Sequence, residues 1–294
     1  MKLGLNLSFA VKRWLEPDIL AAMCKDDFGV SNVQFTFDLI DPWWPESQRD
    51  VLAENYRRAF AAKGISIDAA FGGLASYTYA QFLAPFAEQR AAALTFFKRA
   101  VDMSLALGAD VMGTPVGGMS NRDANDPQRR EELYGLMIGL VKELAEYGRS
   151  NGLKEIHIEA TPLITEFPHS PAASVKLMED LAGSAIPIKL LIDWGHALYL
   201  PLMGPEADMD LWFKKCGPYL GSIHLQQTDG LLDRHWDFTK DGLVTGEKIR
   251  QATEKAALGH IPQYLEVVTA FESPDEEVYA GMKKSMEYLR QVFN

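Results

Sequence analysis

The chain has 294 residues, 47% of them hydrophobic and 23% charged, with a formal net charge of −11 and a pI near 5.1. That balance supplies ample core material and excludes a disordered chain. The acidity argues against a nucleic-acid partner, which would call for concentrated positive charge against phosphates. Basic residues are scattered, with short runs such as Lys12-Arg13, Arg57-Arg58 and Arg129-Arg130, the last two in helical patterns. Cys24 and Cys216 make no metal spacing and read as reduced thiols. The opening MKLGLNLSFAVKRW turns polar and basic too soon for a secretory signal, and no apolar run approaches the roughly 20 residues of a membrane span. A soluble, cytoplasmic protein is expected.

Strand-like and helix-like segments alternate from end to end. An apolar run over 3–7 is followed by a helical pattern over 16–25, then a strand over 32–37. A helical stretch over 48–62 stops at Lys63-Gly64, a C-cap signal. A third strand over 65–71 is closed by Gly72-Gly73, and a long helix over 87–107 stops at Gly108. A short strand over 110–112 leads into a loop over 113–125 and a helix from Pro127 to about 149. The strand KEIHIE over 154–159, a helix over 172–182 and the apolar strand IKLLID over 188–193 follow. A helix over 208–215, a strand over 220–224, a helix over 246–257, a strand over 263–268 and a closing helix over 276–292 complete the series. Eight successive βα units imply a parallel sheet closed as a (β/α)8 TIM barrel, one catalytic domain over residues 1–294.

In such a barrel the active site lies at the C-terminal ends of the strands. The fifth strand ends in Glu159, the sixth in Asp193 and the seventh in His224, while Glu266 sits in the second half of the eighth. A lone strand-end carboxylate is most often a helix N-cap or an ion-pair partner. Three carboxylates and an imidazole aimed at one small volume are another matter, because like charges at that range repel unless a cation neutralises them. The O,O,O,N set points to one divalent metal in octahedral or trigonal-bipyramidal geometry. Mn²⁺ is favoured, with Co²⁺, Mg²⁺ or Zn²⁺ as substitutes.

The motifs around these residues are IEATP (158–162), LLIDWGHAL (190–198), IHLQQTD (223–229) and LEVV (265–268). In them the sequence resembles the xylose-isomerase-like TIM-barrel superfamily, in particular its sugar-phosphate isomerases and epimerases around D-tagatose 3-epimerase. The resemblance implies that Glu159, Asp193, His224 and Glu266 bind the metal and that Glu159 and Glu266 are the catalytic pair. It also implies that His196 binds substrate. One glutamate would remove the proton beside the substrate carbonyl through a metal-stabilised enediolate, and the other would return one on the opposite face, giving epimerisation. Delivery to the neighbouring carbon would give aldose–ketose isomerisation.

Those epimerases place an arginine shortly after the metal-binding histidine. Here the nearest is Arg234, ten residues after His224 in the long aromatic loop TDGLLDRHWDF. The segments QFTFDLIDPWWP and HLQQTDG are also similar to tetrulose-phosphate epimerases and isomerases of bacterial erythritol breakdown. A small ketose or ketose phosphate, at its narrowest a tetrulose phosphate, is the expected substrate.

At the rim, Lys12 and Arg13 are placed to clamp a phosphate, Trp43 and Trp44 to wall a pocket, and the Gly-rich turn 114–118 to offer backbone amides. Residues 238–245 read as an interface loop or a lid, in a protein expected to be a homodimer or homotetramer. An inosose-dehydratase-like hydro-lyase is the alternative enzyme. An endonuclease-type phosphodiesterase would need further histidine and carboxylate ligands, and His157, His169 and His260 fall off the expected rim or in loops.

Overall fold

The computed structural model describes residues 1–293, in which eight parallel strands close in sequence order. They are β1 (Lys2–Asn6), β2 (Asn32–Thr36), β3 (Ser66–Phe71), β4 (Val111–Thr114), β5 (Glu155–Ala160), β6 (Ile188–Asp193), β7 (Leu220–Leu225) and β8 (Pro262–Leu265). Leu5 of β1 pairs with Leu265 of β8, which closes the ring and leaves no sheet edge among the described residues. The eight-fold α/β barrel expected from the alternating pattern is therefore the observed fold. No helix among the described residues is long and apolar enough to cross a membrane.

The main core lies between the strands and the outer helices, with Trp194, Trp212, Phe60 and Phe97 fully buried in it. Helix boundaries follow local chemistry. Asp126 accepts hydrogen bonds from Gln128 N and Arg129 N, and Pro127 opens the helix Pro127–Asn151. That helix runs past the expected stop near 149 because Gly152, at φ 99°, supplies the left-handed cap. The expected first helix divides into Pro17–Ala22 and a wider turn over Met23–Asp27. The eighth strand is shorter than expected. Past Leu265 the chain leaves the ladder: Glu266 N still donates to Leu225 O at 2.9 Å, but Val268 N donates to His235 O in the loop after β7 at 3.1 Å. Glu266 therefore sits one residue beyond the strand.

The barrel interior is polar beneath the strand ends. His157 of β5 is hydrogen-bonded to Ser222 Oγ of β7 at 2.9 Å and to Glu155 at 3.1 Å, and β5 and β7 are not neighbours, so the contact crosses the interior. Pairing of β6 with β7 skips Gly221, a bulge that re-aims the second half of β7. Only glycine fits there, since a Cβ would lie 2.3 Å from His157 Nε2. Three residues on comes His224.

Candidate metal centre and cavity

Glu159 is the penultimate residue of β5, Asp193 the last of β6 and His224 the penultimate of β7, with Glu266 just past β8. All four are buried, and one ligand atom from each lies within 4.8 Å of every other. The four side chains picked out along the sequence converge.

How each is held decides what it offers. Asp193 is both a helix cap and a site residue, one role per oxygen. Its Oδ1 accepts from Gly195 N at 2.6 Å, His196 N at 3.0 Å and Gln226 Nε2 at 2.8 Å, while Oδ2 is buried with no hydrogen-bond partner. Glu159 Oε1 is likewise buried and unpartnered.

His224 is oriented by a relay whose sense is set by the backbone. Ser8 N–H donates to Asn6 Oδ1 at 2.8 Å, so Asn6 Nδ2 is the end that donates to Gln34 Oε1, at 2.6 Å. That oxygen must then accept from His224 Nε2–H at 2.7 Å, which leaves Nδ1 facing the carboxylates. Nδ1 lies 2.8 Å from Glu266 Oε2 and 3.5 Å from Glu159 Oε1, yet it makes no well-aligned hydrogen bond with either.

Three buried ligand atoms without partners, drawn from four converging side chains, is what a dehydrated cation requires and what a purely structural cluster would avoid. The residues fit a divalent ion of the oxygen-and-nitrogen class. Burial alone would pull the His224 imidazole down, but the carboxylates of Glu266 and Glu159 more than offset it and hold it up at about 10. Burial also pushes the Glu159 carboxyl above the usual range, against the nearby His196 and His224.

Asn6 and Gln34 were not singled out in the sequence. Their only signal there is weak: Asn6 ends β1, and Gln34 alternates with the polar Asn32 and Thr36 along β2. Replacing Gln34 with Met removes the acceptor and frees the imidazole to turn. We expect metal affinity to fall about 10–100-fold, measured by calorimetric titration of the apoprotein.

The centre opens into a cavity of about 220 Å³ lined by Glu159, Glu266, His196, Asp233, Arg234 and His235 among others. His196 donates Nδ1–H to Ala160 O at 3.0 Å and meets Asp233 Oδ2 through Nε2 at 3.1 Å. His235, at φ 45°, places its Nε2 3.1 Å from the same carboxylate. His196, Asp233 and His235 thus form a second convergent cluster beside the first. Reasoning from sequence passed over Asp233 and His235, because loop residues carry no strand register to say where they point.

Arg234 lines the cavity, gripped by Asp229 at 2.7 Å and stacked on Trp236 with its guanidinium 4.9 Å from the ring centre. Lys12 and Arg13 reach the rim but not the cavity. Arg13 donates to Ser273 O and Ala270 O, each at 2.8 Å, and to the Asp275 carboxylate, which ties the loop after β1 to the loop after β8. Lys12 Nζ lies over the Phe271 ring at 4.5 Å.

The tryptophans also sit away from the centre. Trp43 packs on Phe96 with Arg99 over its face, and Trp44 is half-exposed. Of the turn 114–118, Pro115 lines the cavity. The 238–245 segment is docked: Phe238 stacks on Tyr288 and its N–H donates to Ser285 Oγ at 2.8 Å.

A closed barrel that brings three carboxylates and an imidazole to one point at its mouth defines an enzyme of the TIM-barrel class. More narrowly, the chain belongs to the xylose isomerase-like TIM barrel family, which it matches over residues 26–292. It is 28% identical over 246 residues to a D-erythrulose 1-phosphate 3-epimerase of Brucella abortus (strain 2308), a match covering 81% of this chain and 77% of that one. A solved structure from Rhodospirillum rubrum ATCC 11170, named as a candidate xylose isomerase, is 49% identical and superposes with a TM-score of 0.97 over 99% of both chains. A D-psicose 3-epimerase of Clostridium cellulolyticum H10, solved with D-tagatose, superposes over 100% of both chains with a TM-score of 0.75 at 12% identity, a likeness of fold.

Proposed function

We propose that this chain is a divalent-metal-dependent isomerase that epimerises or isomerises a small ketose or ketose phosphate, at its narrowest a tetrulose phosphate. The observation that carries this reading is the pair Glu159, on β5, and Glu266, just past β8, facing one cavity around three unpartnered ligand atoms. The Brucella relative, named for an epimerisation of a tetrulose phosphate, supports the substrate class. Two buried free cysteines favour a reducing compartment, and we place the enzyme in the cytoplasm.

Glu159, Asp193, His224 and Glu266 would hold the ion, with Mn²⁺ the first choice and Co²⁺, Mg²⁺ or Zn²⁺ as substitutes. When bound, a divalent ion supplies Lewis-acid stabilisation of negative charge on the substrate's carbonyl and adjacent hydroxyl oxygens. The rest falls to the chain. Glu159 and Glu266 come from strands three apart around the ring and approach the substrate carbon from different sides. One carboxylate takes the proton and the other returns one, which inverts the carbon. His196, its Nδ1–H fixed by Ala160 O, would meet substrate oxygens through Nε2–H, shared with Asp233. Arg234 is the cation on the cavity wall suited to a phosphate, with Lys12 and Arg13 further out on the rim.

The second cluster of His196, Asp233 and His235 gives the phosphodiesterase reading ligands that the sequence had not disclosed, so it is kept as the rival. Incubation of Mn²⁺-loaded protein with ketose phosphates in D₂O separates the possibilities. Deuterium entering the substrate carbon without loss of water is the expected result. Loss of water would mean a hydro-lyase. Cleavage of an abasic DNA duplex without deuterium entry would mean a phosphodiesterase.

A further inference from the structure

In the closed strand order β3 and β7 stand four places apart, across the mouth from one another. Arg234 follows β7; facing it from the loop after β3 is Tyr77, which lines the same cavity as Glu159 and Glu266. Tyr77 is not on a loose loop. It ends the one-turn helix Leu74–Tyr77, whose first amides are held by Asp38: Leu74 N donates to Oδ2 at 2.7 Å and Ala75 N to Oδ1 at 3.0 Å. Gly73 permits this approach, since a Cβ there would lie 2.3 Å from Asp38 Cγ.

The phenol is fixed in turn. Tyr77 O–H donates to Glu166 Oε2 at 3.2 Å. Glu166 is buried in the loop after β5, anchored by its bridge to Gly118 and by its N–H donating to Leu163 O at 3.0 Å. With its proton committed to Glu166, the hydroxyl turns acceptor lone pairs to the cavity. Burial, with Glu166 and Glu159 nearby, pushes the phenol far above its ordinary range, so it stays neutral. The cavity lining on this side holds no basic side chain and stands beside Asp38, Glu159 and Glu166, which suits a neutral hydroxyl; the cations of the lining, Arg234, His196 and His235, stand on the far side, set against Asp229 and Asp233.

We propose that Tyr77, held by Glu166, is a specificity-determining residue that accepts a hydrogen bond from a hydroxyl at the uncharged end of the substrate. The substrate then lies across the mouth with any anionic substituent toward Arg234. The proposal rests on the ketose epimerase or isomerase reading of this site.

The test compares a ketose phosphate with its analogue lacking the terminal hydroxyl, on Mn²⁺-loaded wild type and Tyr77→Phe. The half-buried Tyr77 acceptor, covered by the bound analogue and left unpaired, costs at least about tenfold in kcat/KM in the wild type. In Tyr77→Phe that preference should collapse to near unity through KM, with Mn²⁺ affinity by titration unchanged. Glu166→Gln, whose carbonyl still accepts from the phenol, should keep the preference, and Glu166→Leu, which leaves the phenol unanchored and free to donate instead, should reduce it. Full discrimination in both Tyr77→Phe and Glu166→Leu overturns the assignment while leaving the epimerase reading intact. No deuterium exchange from any ketose in the metal-loaded wild type overturns the reading itself, and the assignment with it.

Discussion

In Glu266→Gln, inversion of a ketose substrate should fall by about 10²–10⁴, the usual worth of a positioned acid or base, while the metal still binds. The split follows from what the side chain does. A Gln oxygen keeps the shape and a ligating lone pair beside His224 Nδ1, from which Glu266 Oε2 lies 2.8 Å away. It can neither take nor give a proton at neutral pH. A variant that failed only for want of metal would recover as Mn²⁺ is raised, and this one should not. Hydrogen exchange from each epimer in D₂O shows which half-reaction is lost. If Glu159 abstracts from one epimer unaided, exchange from that epimer persists while inversion stops. Near-normal inversion in the metal-saturated variant would refute the two-glutamate mechanism and leave the metal centre standing.

The same geometry explains how much was legible beforehand. Glu159, Asp193 and His224 were found because strand register and the spacing of βα units act together: an inward-facing residue at a strand's C-terminal end points to the barrel mouth, while its neighbours Ala160, Ile192 and Leu225 pack in the core. Glu266 was found although its strand stops one residue earlier, since the chain keeps its direction for that residue through the hydrogen bond to Leu225.

Loops have no such constraint. The pair Lys12-Arg13 reads as a phosphate clamp from its place after β1. Yet nothing in its spacing foretells that carbonyls of Ala270 and Ser273, some 260 residues away, hold the Arg13 guanidinium. Asp233 and His235 were hidden for the converse reason. They lie in a stretch that looked merely long and aromatic, and they enter the cavity because Gln226 accepts His235 N–H at 2.5 Å and turns the loop inward. The supporting relay of Asn6 and Gln34 was missed because one polar residue in a strand has no partner until the barrel closes.

The second large effect is thermodynamic, and it tests the centre without any substrate. Three buried ligand atoms without partners, and carboxylates held close together, make the ion-free barrel less stable than its packing would allow. An ion that binds the folded chain and not the unfolded one stabilises it by mass action. At a thousandfold excess over Kd that is about 4.1 kcal/mol. At about 2 °C per kcal/mol for a chain of this size, the melting temperature should rise by about 8 °C on addition of Mn²⁺. Asp193→Ala removes the ligating Oδ2 and also the cap over Gly195 and His196, so its ion-free melting temperature falls on its own account. The informative quantity is therefore the metal-induced shift within each protein, in which the lost cap cancels. That shift should nearly vanish in the variant at the concentration that saturates the wild type. Scanning calorimetry with and without metal reads it directly. A wild type indifferent to Mn²⁺, Co²⁺, Mg²⁺ and Zn²⁺, or a shift undiminished in Asp193→Ala, would mean that these four side chains do not hold the ion.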